Sequence, residues 1–149
     1  MAEALDDAIG SGDPASPTDR TRAGISTHGL WRRRREVATL LGAEPVRLLT
    51  SWSPADVDLI AGWGHKATAR GARAAAARRN LPYVALEDGF LRSVRPGRRE
   101  RSVGWIVDRS GIYYDAAGPS DLEAAILRRV EQDPAEQERA RAAMAQIRA

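Results

Sequence analysis

The sequence predicts an α/β domain: a Rossmann-like, mostly parallel sheet of about four strands layered with helices. Short apolar runs, too short for helices, alternate along the chain with segments of helical pattern, an order that favours parallel pairing. One of these runs, Tyr83 to Leu86, follows the breaker Asn80-Leu81-Pro82 and stops at the adjacent acids Glu87 and Asp88. A buried parallel strand reads this way when its carboxyl end carries function. Later, the β-prone runs Gly104–Val107 and Ile112–Tyr114 flank Asp108-Arg109-Ser110-Gly111. That is the signature of an inserted β-hairpin, with Gly111 available for positive φ.

Composition bounds the remaining possibilities. A chain of 149 residues fits one modest domain with a core of its own. Without cysteine, disulfides, thiolate metal sites and thiol catalysis are excluded. With His28 and His65 as the only histidines, no His-based metal site is expected. The net charge is +3, Lys66 is the only lysine, and arginines alternate with acids along the helical segments. No aromatic stacking platform or DNA-reading motif accompanies them, so nucleic acid is not an expected partner.

Taken in order, residues 1–22 carry Asp, Gly, Ser and Pro with few apolar side chains, and predict a disordered tail ahead of one domain over 23–149. The tail has neither the basic nor the apolar region of a secretory signal. No run of ~18 apolar residues exists to span a membrane, so a cytoplasmic protein is expected. Ala23–Ser26 reads as a first strand and Thr27-His28-Gly29 as the turn after it. Leu30–Leu41 reads as a helix closed by Gly42. On it, Arg32 to Arg35 form either a solvated face or a site for an anionic partner, a phospholipid surface or a nucleotide phosphate.

Val46–Thr50 and Val57–Ala61 suit buried strands separated by Ser51-Trp52-Ser53-Pro54. The second gives way to Gly62-Trp63-Gly64-His65-Lys66 and then to an Ala-rich helix over Ala67–Arg79. The first turn of that helix, with His65 and Lys66 beside it, would suit an anion, although the spacing matches no nucleotide-binding fingerprint. Beyond the Tyr83–Leu86 strand, Arg95–Arg101 reads as a basic loop. Ser120 and Glu123 form a capping box for a helix to about Glu131. Asp133, Pro134 and Glu136 start a last helix. The four tryptophans read as packing residues, with Trp63 also placed to wall a sugar site.

The candidate chemistry centres on Glu87 and Asp88. Neighbouring carboxylates disfavour each other's ionisation, which can lift one into the range of a general acid or base. Gly89 permits a tight turn or a close approach to ligand, and Arg92 and Ser93 offer donors for an anion or a sugar. The alternative is a strand end with two solvated acids and a glycine turn.

Five separated stretches together resemble one family. They are Gly29-Leu30-Trp31, Trp63-Gly64-His65-Lys66, Leu86 to Ser93, Gly111 to Ala116, and Pro119-Ser120 with Leu122-Glu123. In this order they are similar to the N-terminal part of the capsular polysaccharide synthase family, the KpsC-type retaining β-Kdo transferases. The resemblance runs from about residue 24 to the end. It implies the Rossmann-like half of a GT-B-type glycosyltransferase with an inserted β-hairpin. It also implies CMP-Kdo as donor, no metal or other cofactor, and a lipid-linked Kdo acceptor in capsule biosynthesis and export, at the cytoplasmic face of the inner membrane with the protein peripheral to it.

Glu87-Asp88-Gly89 fits the acidic motif that this family shares in outline with bacterial sialyltransferases, whose acids handle the acceptor proton. The resemblance thus makes Glu87 first and Asp88 second the catalytic candidates. Around them, His65, Lys66, Gly89, Arg92, Ser93, Tyr114 and Asp115 are the expected substrate-binding residues. Where the family has Pro-Leu-Ser and a second Asp, this sequence has Ser102-Val103-Gly104 and Arg109, so no carboxylate role survives at Arg109. The family also continues past the equivalent of Ala149 into a further catalytic Asp and a nucleotide-binding half. A truncated or split synthase acting with a complementary polypeptide is therefore expected; the alternative is a non-catalytic remnant serving as an interaction module.

Overall fold

A computed structural model describes residues 20–49, 55–93, 95, 100–128 and 134–148. The expected disordered tail lies outside the described residues up to residue 19, as do Ser51-Trp52-Ser53-Pro54 and most of the Arg95–Arg101 loop. The chain is a five-stranded sheet of order β2-β1-β3-β4-β5 with helices on both faces. Its strands are β1 (Arg22–Ile25), β2 (Glu44–Arg47), β3 (Leu59–Trp63), β4 (Tyr83–Asp88) and β5 (Trp105–Asp108). The first four pair in parallel and β5 returns antiparallel along β4, so Tyr83–Leu86 is an interior strand.

Two helical crossovers wind in opposite directions from the centre. Helices α1 (His28–Arg32) and α2 (Arg34–Leu41) carry the chain from β1 out to β2. A 3-10 turn (Ala67–Ala69) and α3 (Arg70–Arg79) carry it from β3 to β4 on the other side. The order therefore reverses between β1 and β3, which lie side by side.

The core divides by face because successive strand residues point to opposite sides. Ile25, Leu59, Ala61, Val84 and Leu86 pack with Leu30, Val37 and Leu41 of α1 and α2. Ile60 of β3 packs with Leu48, Val57 and the small face Ala72, Ala75 and Ala76 of α3. Those alanines let the helix lie close to the sheet. α4 (Asp121–Arg128) and α5 (Pro134–Arg148) bury no residue and leave Ile126, Leu127, Met144 and Ile147 exposed.

Several element boundaries differ from expectation. The single helix Leu30–Leu41 is two helices, and it begins at His28, inside the expected turn. Arg33 breaks it with φ −105° and ψ 21°, its side chain turned to the Ser102 carbonyl at 2.5 Å and lying over the Trp105 ring at 4.1 Å. The arginine run is thus no continuous face; Arg32, Arg34 and Arg35 are exposed and Arg33 is built in.

The expected hairpin over Gly104–Tyr114 does not form. Its first arm is β5, but Ile112–Tyr114 is a turn with Ile112 buried. The buried carboxylate of Asp108 is the cause: Oδ1 accepts the Ser110 and Gly111 N–H groups and Oδ2 accepts that of Asp121. Those bonds curl the chain away from the sheet into α4. Gly111 serves a close approach rather than a positive φ, since a Cβ there would meet the Pro119 carbonyl. Half of the expected capping box is present, Ser120 Oγ accepting from the Glu123 N–H at 3.1 Å.

Candidate functional site

The decisive difference from the sequence reading is the length of β4. The strand runs on through Glu87 and Asp88 rather than stopping before them. Inside a strand, neighbours point to opposite faces. The two carboxylates therefore point apart, each into its own ion pair.

Glu87 points to the α3 side and is 4% exposed. Lys66 Nζ lies 2.9 Å from Oε1 and 2.8 Å from Oε2, straddling the carboxylate. The Asp88 backbone N–H adds a bond to Oε1 at 3.1 Å, and the Tyr114 hydroxyl approaches Oε2 at 3.4 Å. The same hydroxyl accepts the His65 backbone N–H at 2.9 Å. His65 Nδ1 in turn lies 2.6 Å from Asp115 Oδ2. Glu87, Lys66, His65, Tyr114 and Asp115 form one connected cluster, to which the turn after β3, β4 itself and the turn after β5 each contribute.

Local backbone chemistry makes this convergence possible. Gly64 sits between β3 and His65 with φ +53°, a left-handed conformation that side chains disfavour. A Cβ at that position would strike the Tyr114 hydroxyl and lie 2.9 Å from Glu87 Oε2. Its carbonyl accepts the Tyr83 hydroxyl at 2.7 Å, which fixes the turn from below.

The electrostatics follow from these contacts. For Lys66, partial burial pulls the pKa down but the hydrogen bond and charge of Glu87 outweigh it, leaving the ammonium above its ordinary value. Burial raises the Tyr114 phenol. The hydrogen bond from His65 holds the Asp115 carboxyl below the usual range. At the start of the Ala67–Arg79 segment, where an anion site is expected, Lys66 pairs with Glu87 and His65 with Asp115, and a 3-10 turn precedes α3.

Asp88 points to the α1–α2 side. Arg92 Nε donates to its Oδ2 at 2.8 Å. Burial pushes the Asp88 carboxyl up, but hydrogen bonds from Arg92 and Ser102 and the nearby Arg33 charge hold it below its ordinary value. Gly89 donates its N–H to the Gly104 carbonyl at 2.8 Å, closing the loop between β4 and β5. Ser93 donates its hydroxyl to the Arg95 carbonyl at 2.7 Å. Thus the structure brings together Glu87, His65, Lys66, Tyr114 and Asp115, and leaves Asp88 with Arg92 across the strand and Ser93 apart. Sequence reasoning missed Tyr83, which supports the Gly64 turn, and Arg33, which the run of four arginines concealed.

Comparison with known proteins adds a family and a scale. Residues 58–148 match the family described as capsule polysaccharide biosynthesis protein, from just before β3 almost to the chain's end. A capsule polysaccharide modification protein, LipA, of Neisseria meningitidis serogroup B is 48% identical over 73 residues, 48% of this chain and 10% of that protein. The serogroup A protein of the same name is 48% identical over 71 residues, again 10% of its length. Among solved structures, the β-Kdo 2,4 transferase of Thermosulfurimonas dismutans KpsC aligns with a TM-score of 0.60 at 38% identity. That alignment covers 70% of this chain and 32% of that one. The β-Kdo 2,7 transferase of the same KpsC has a TM-score of 0.57 at 22% identity, covering 85% and 42%, and at that identity it speaks to the fold alone. The chain spans about a tenth of the curated relatives' length and less than half of these structures.

Proposed function

This chain belongs to the capsule polysaccharide biosynthesis protein family, and from that premise we propose that it is the N-terminal, Rossmann-like half of a GT-B-type β-Kdo transferase. Its donor is CMP-Kdo, its acceptor a lipid-linked Kdo, and its place the cytoplasmic face of the inner membrane. Exposed Arg32, Arg34 and Arg35 supply attraction to anionic lipid there. Among the described residues no helix is long and apolar enough to cross a membrane.

One observation carries the reading. Lys66 and Tyr114, 21 and 27 residues from Glu87 in sequence, converge on its buried carboxylate. Transfer proceeds with net retention at the anomeric carbon of Kdo, and Glu87 takes the proton of the acceptor hydroxyl as its oxygen comes to bond that carbon. The bond from this carbon to the CMP phosphate breaks, and the phosphate leaves with the electron pair. A positioned general base is worth about 10²–10⁴-fold in rate. Lys66, half exposed on a flexible stem, turns aside to admit the hydroxyl and keeps a cation beside the reacting centre. Tyr114, His65 and Asp115 hold Glu87 and the Gly64 turn in place. Asp88 positions the β4–β5 loop through Arg92 and Ser102 instead of reacting.

Transfer requires donor and acceptor to be held together, and much of its rate comes from that positioning. The second half of the fold, on the same polypeptide or on a complementary one, supplies the donor site. The test is to incubate this chain, with and without that half, with CMP-Kdo and a Kdo-primed lipid. Transfer only with both parts present, lost in Glu87→Gln, supports the reading. Transfer unaffected by Glu87→Gln removes Glu87 from the chemistry. A folded chain inactive in both settings is an interaction module.

A further inference from the structure

A cavity of about 630 Å³, within the range of small-molecule sites, borders the Glu87 cluster on the α3 face of the sheet. It lies along α3, away from the reacting carboxylate, and the turn after β5 forms its other wall. On α3, Arg70, Arg73, Ala74 and Ala77 line it, at the three- and four-residue spacing that puts them on one helix face. The two alanines leave room that longer side chains would fill. The other wall is Arg109-Ser110-Gly111. Buried Asp108 accepts the Ser110 and Gly111 N–H groups and Asp121 accepts that of Arg109, so this turn carries Arg109 on a fixed base.

What the cavity lacks is a counter-charge. Three arginines line it and no carboxylate does. Arg22, Arg33, Arg92, Arg101, Arg139 and Arg141 each hold a carboxylate in a salt bridge. Among the described residues, Arg70, Arg73 and Arg109 hold none. The acids nearby are engaged elsewhere: Asp121 by the Ser110 hydroxyl and the Arg109 N–H, and Asp115 by His65 and the Ala117 N–H. The Arg73 charge is felt at Tyr83, which also lines the cavity, where it opposes the burial that raises the phenol. At the border with the Glu87 cluster, His65 gives Nδ1 to Asp115, and its Nε2 has no hydrogen-bond partner among the described residues.

Guanidinium groups are permanently charged, planar, bidentate donors that match phosphate oxygens. Three of them exceed what the two oxygens and single charge of a carboxylate require. A phosphomonoester, with three terminal oxygens and nearly two charges, fits them better. We infer that this cavity binds a phosphomonoester, held by Arg70 and Arg73 from α3 and by Arg109 from the turn, with His65 at its inner edge. The ester belongs to a soluble molecule or to a lipid headgroup. The inference stands on the cavity and its charges and is independent of the transferase reading.

The experiment titrates the ¹⁵N-labelled full chain with glycerol 3-phosphate, with sodium chloride at matched ionic strength as the control, and follows amide shifts and melting temperature. Glycerol 3-phosphate should move the Arg73, Ser110 and Gly111 amides at millimolar concentrations and raise the melting temperature, as a ligand of the folded state does. Arg73→Gln and Arg109→Gln should each weaken binding by about tenfold, the scale of one lost hydrogen bond between charged groups. Arg32→Gln, exposed on α1, should not change it. Because Arg73 and Arg109 hold no salt bridge in the chain, both variants should melt, without probe, at the parent temperature or slightly above. Co-sedimentation with phosphatidylcholine vesicles, with and without phosphatidic acid, separates the two sources. Sedimentation that requires phosphatidic acid and is lost in the Arg73→Gln, Arg109→Gln double variant assigns a lipid. Glycerol 3-phosphate binding with vesicle binding indifferent to that double variant assigns a soluble ester, and either result upholds the site. An equal response to chloride, no shift at Arg73 and Ser110, or undiminished binding in the double variant would overturn it. Binding in a chain that supports no transfer keeps this site and counts against the transferase reading alone.

Discussion

Glu87 and Asp88 are adjacent, chemically alike, and placed in opposite worlds. Glu87 faces α3, is almost wholly buried, and is straddled by Lys66 with Tyr114 beside it. Asp88 faces α1 and α2, is partly open, and holds Arg92. One strand step separates them, and a period of two turns that step into a change of face. The lesson is that an acidic pair in sequence is a dyad in space only if the strand has already ended. Here it has not, so the pair is two single sites. One sits in a cluster knitted from distant stretches; the other pins a local loop.

Substitutions should expose this asymmetry, the largest effects falling on the Glu87 side. Gly64→Ala is expected to cost about 2–4 kcal/mol, combining left-handed backbone strain with overpacking against Tyr114 and Glu87. Gly29→Ala, where a Cβ meets nothing within 4 Å, should be neutral or slightly stabilising. Urea titration of both variants compares them directly; equal losses would break the contrast. Next, Lys66→Met strands a buried carboxylate. Removing one partner of a fully buried pair costs about 3–5 kcal/mol, and because the lysine side chain is 52% exposed a loss of about 1–3 kcal/mol is expected. Arg92→Met, in the more open pair, should cost no more than about 1 kcal/mol.

The smallest effect is one of pH. Asp88, Asp115 and Asp121 are all held below the ordinary aspartate value by hydrogen bonds in the folded chain. A depressed folded pKa contributes stability that is present above the unfolded value and drains as pH falls through the folded one. The melting temperature should therefore drop below about pH 4, near that unfolded aspartate value. Asp88→Asn should make the drop shallower. A melting temperature flat down to pH 2 would contradict these pairings.

Much of the architecture was legible in the sequence. The short apolar runs and the Ala-rich segment report strands and α3 because burial on both sheet faces demands continuous apolar character and close packing demands small side chains. The motifs Gly64-His65-Lys66, Glu87 and Tyr114-Asp115 were readable as candidates, though their mutual contacts were not, since those are set by a positive-φ glycine and a turn. The false hairpin arose because Ile112–Tyr114 is β-prone locally while Asp108 recruits three N–H groups that end the sheet. The break at Arg33 was hidden for a similar reason. Its partners, Ser102 and Trp105, lie about 70 residues away, and local pattern carries no such information.

The most direct test of the two-faced account is a pair of double-mutant cycles on folding stability. Lys66→Met combined with Glu87→Gln should be strongly non-additive, with a coupling of about 1 kcal/mol or more, as expected for residues in contact. Lys66→Met combined with Asp88→Asn should be additive within about 0.5 kcal/mol, because the strand puts Asp88 on the other face. Coupling of Lys66 to Asp88 rather than to Glu87, or equal coupling to both, would contradict the assignment of Glu87 to the cluster and with it the site.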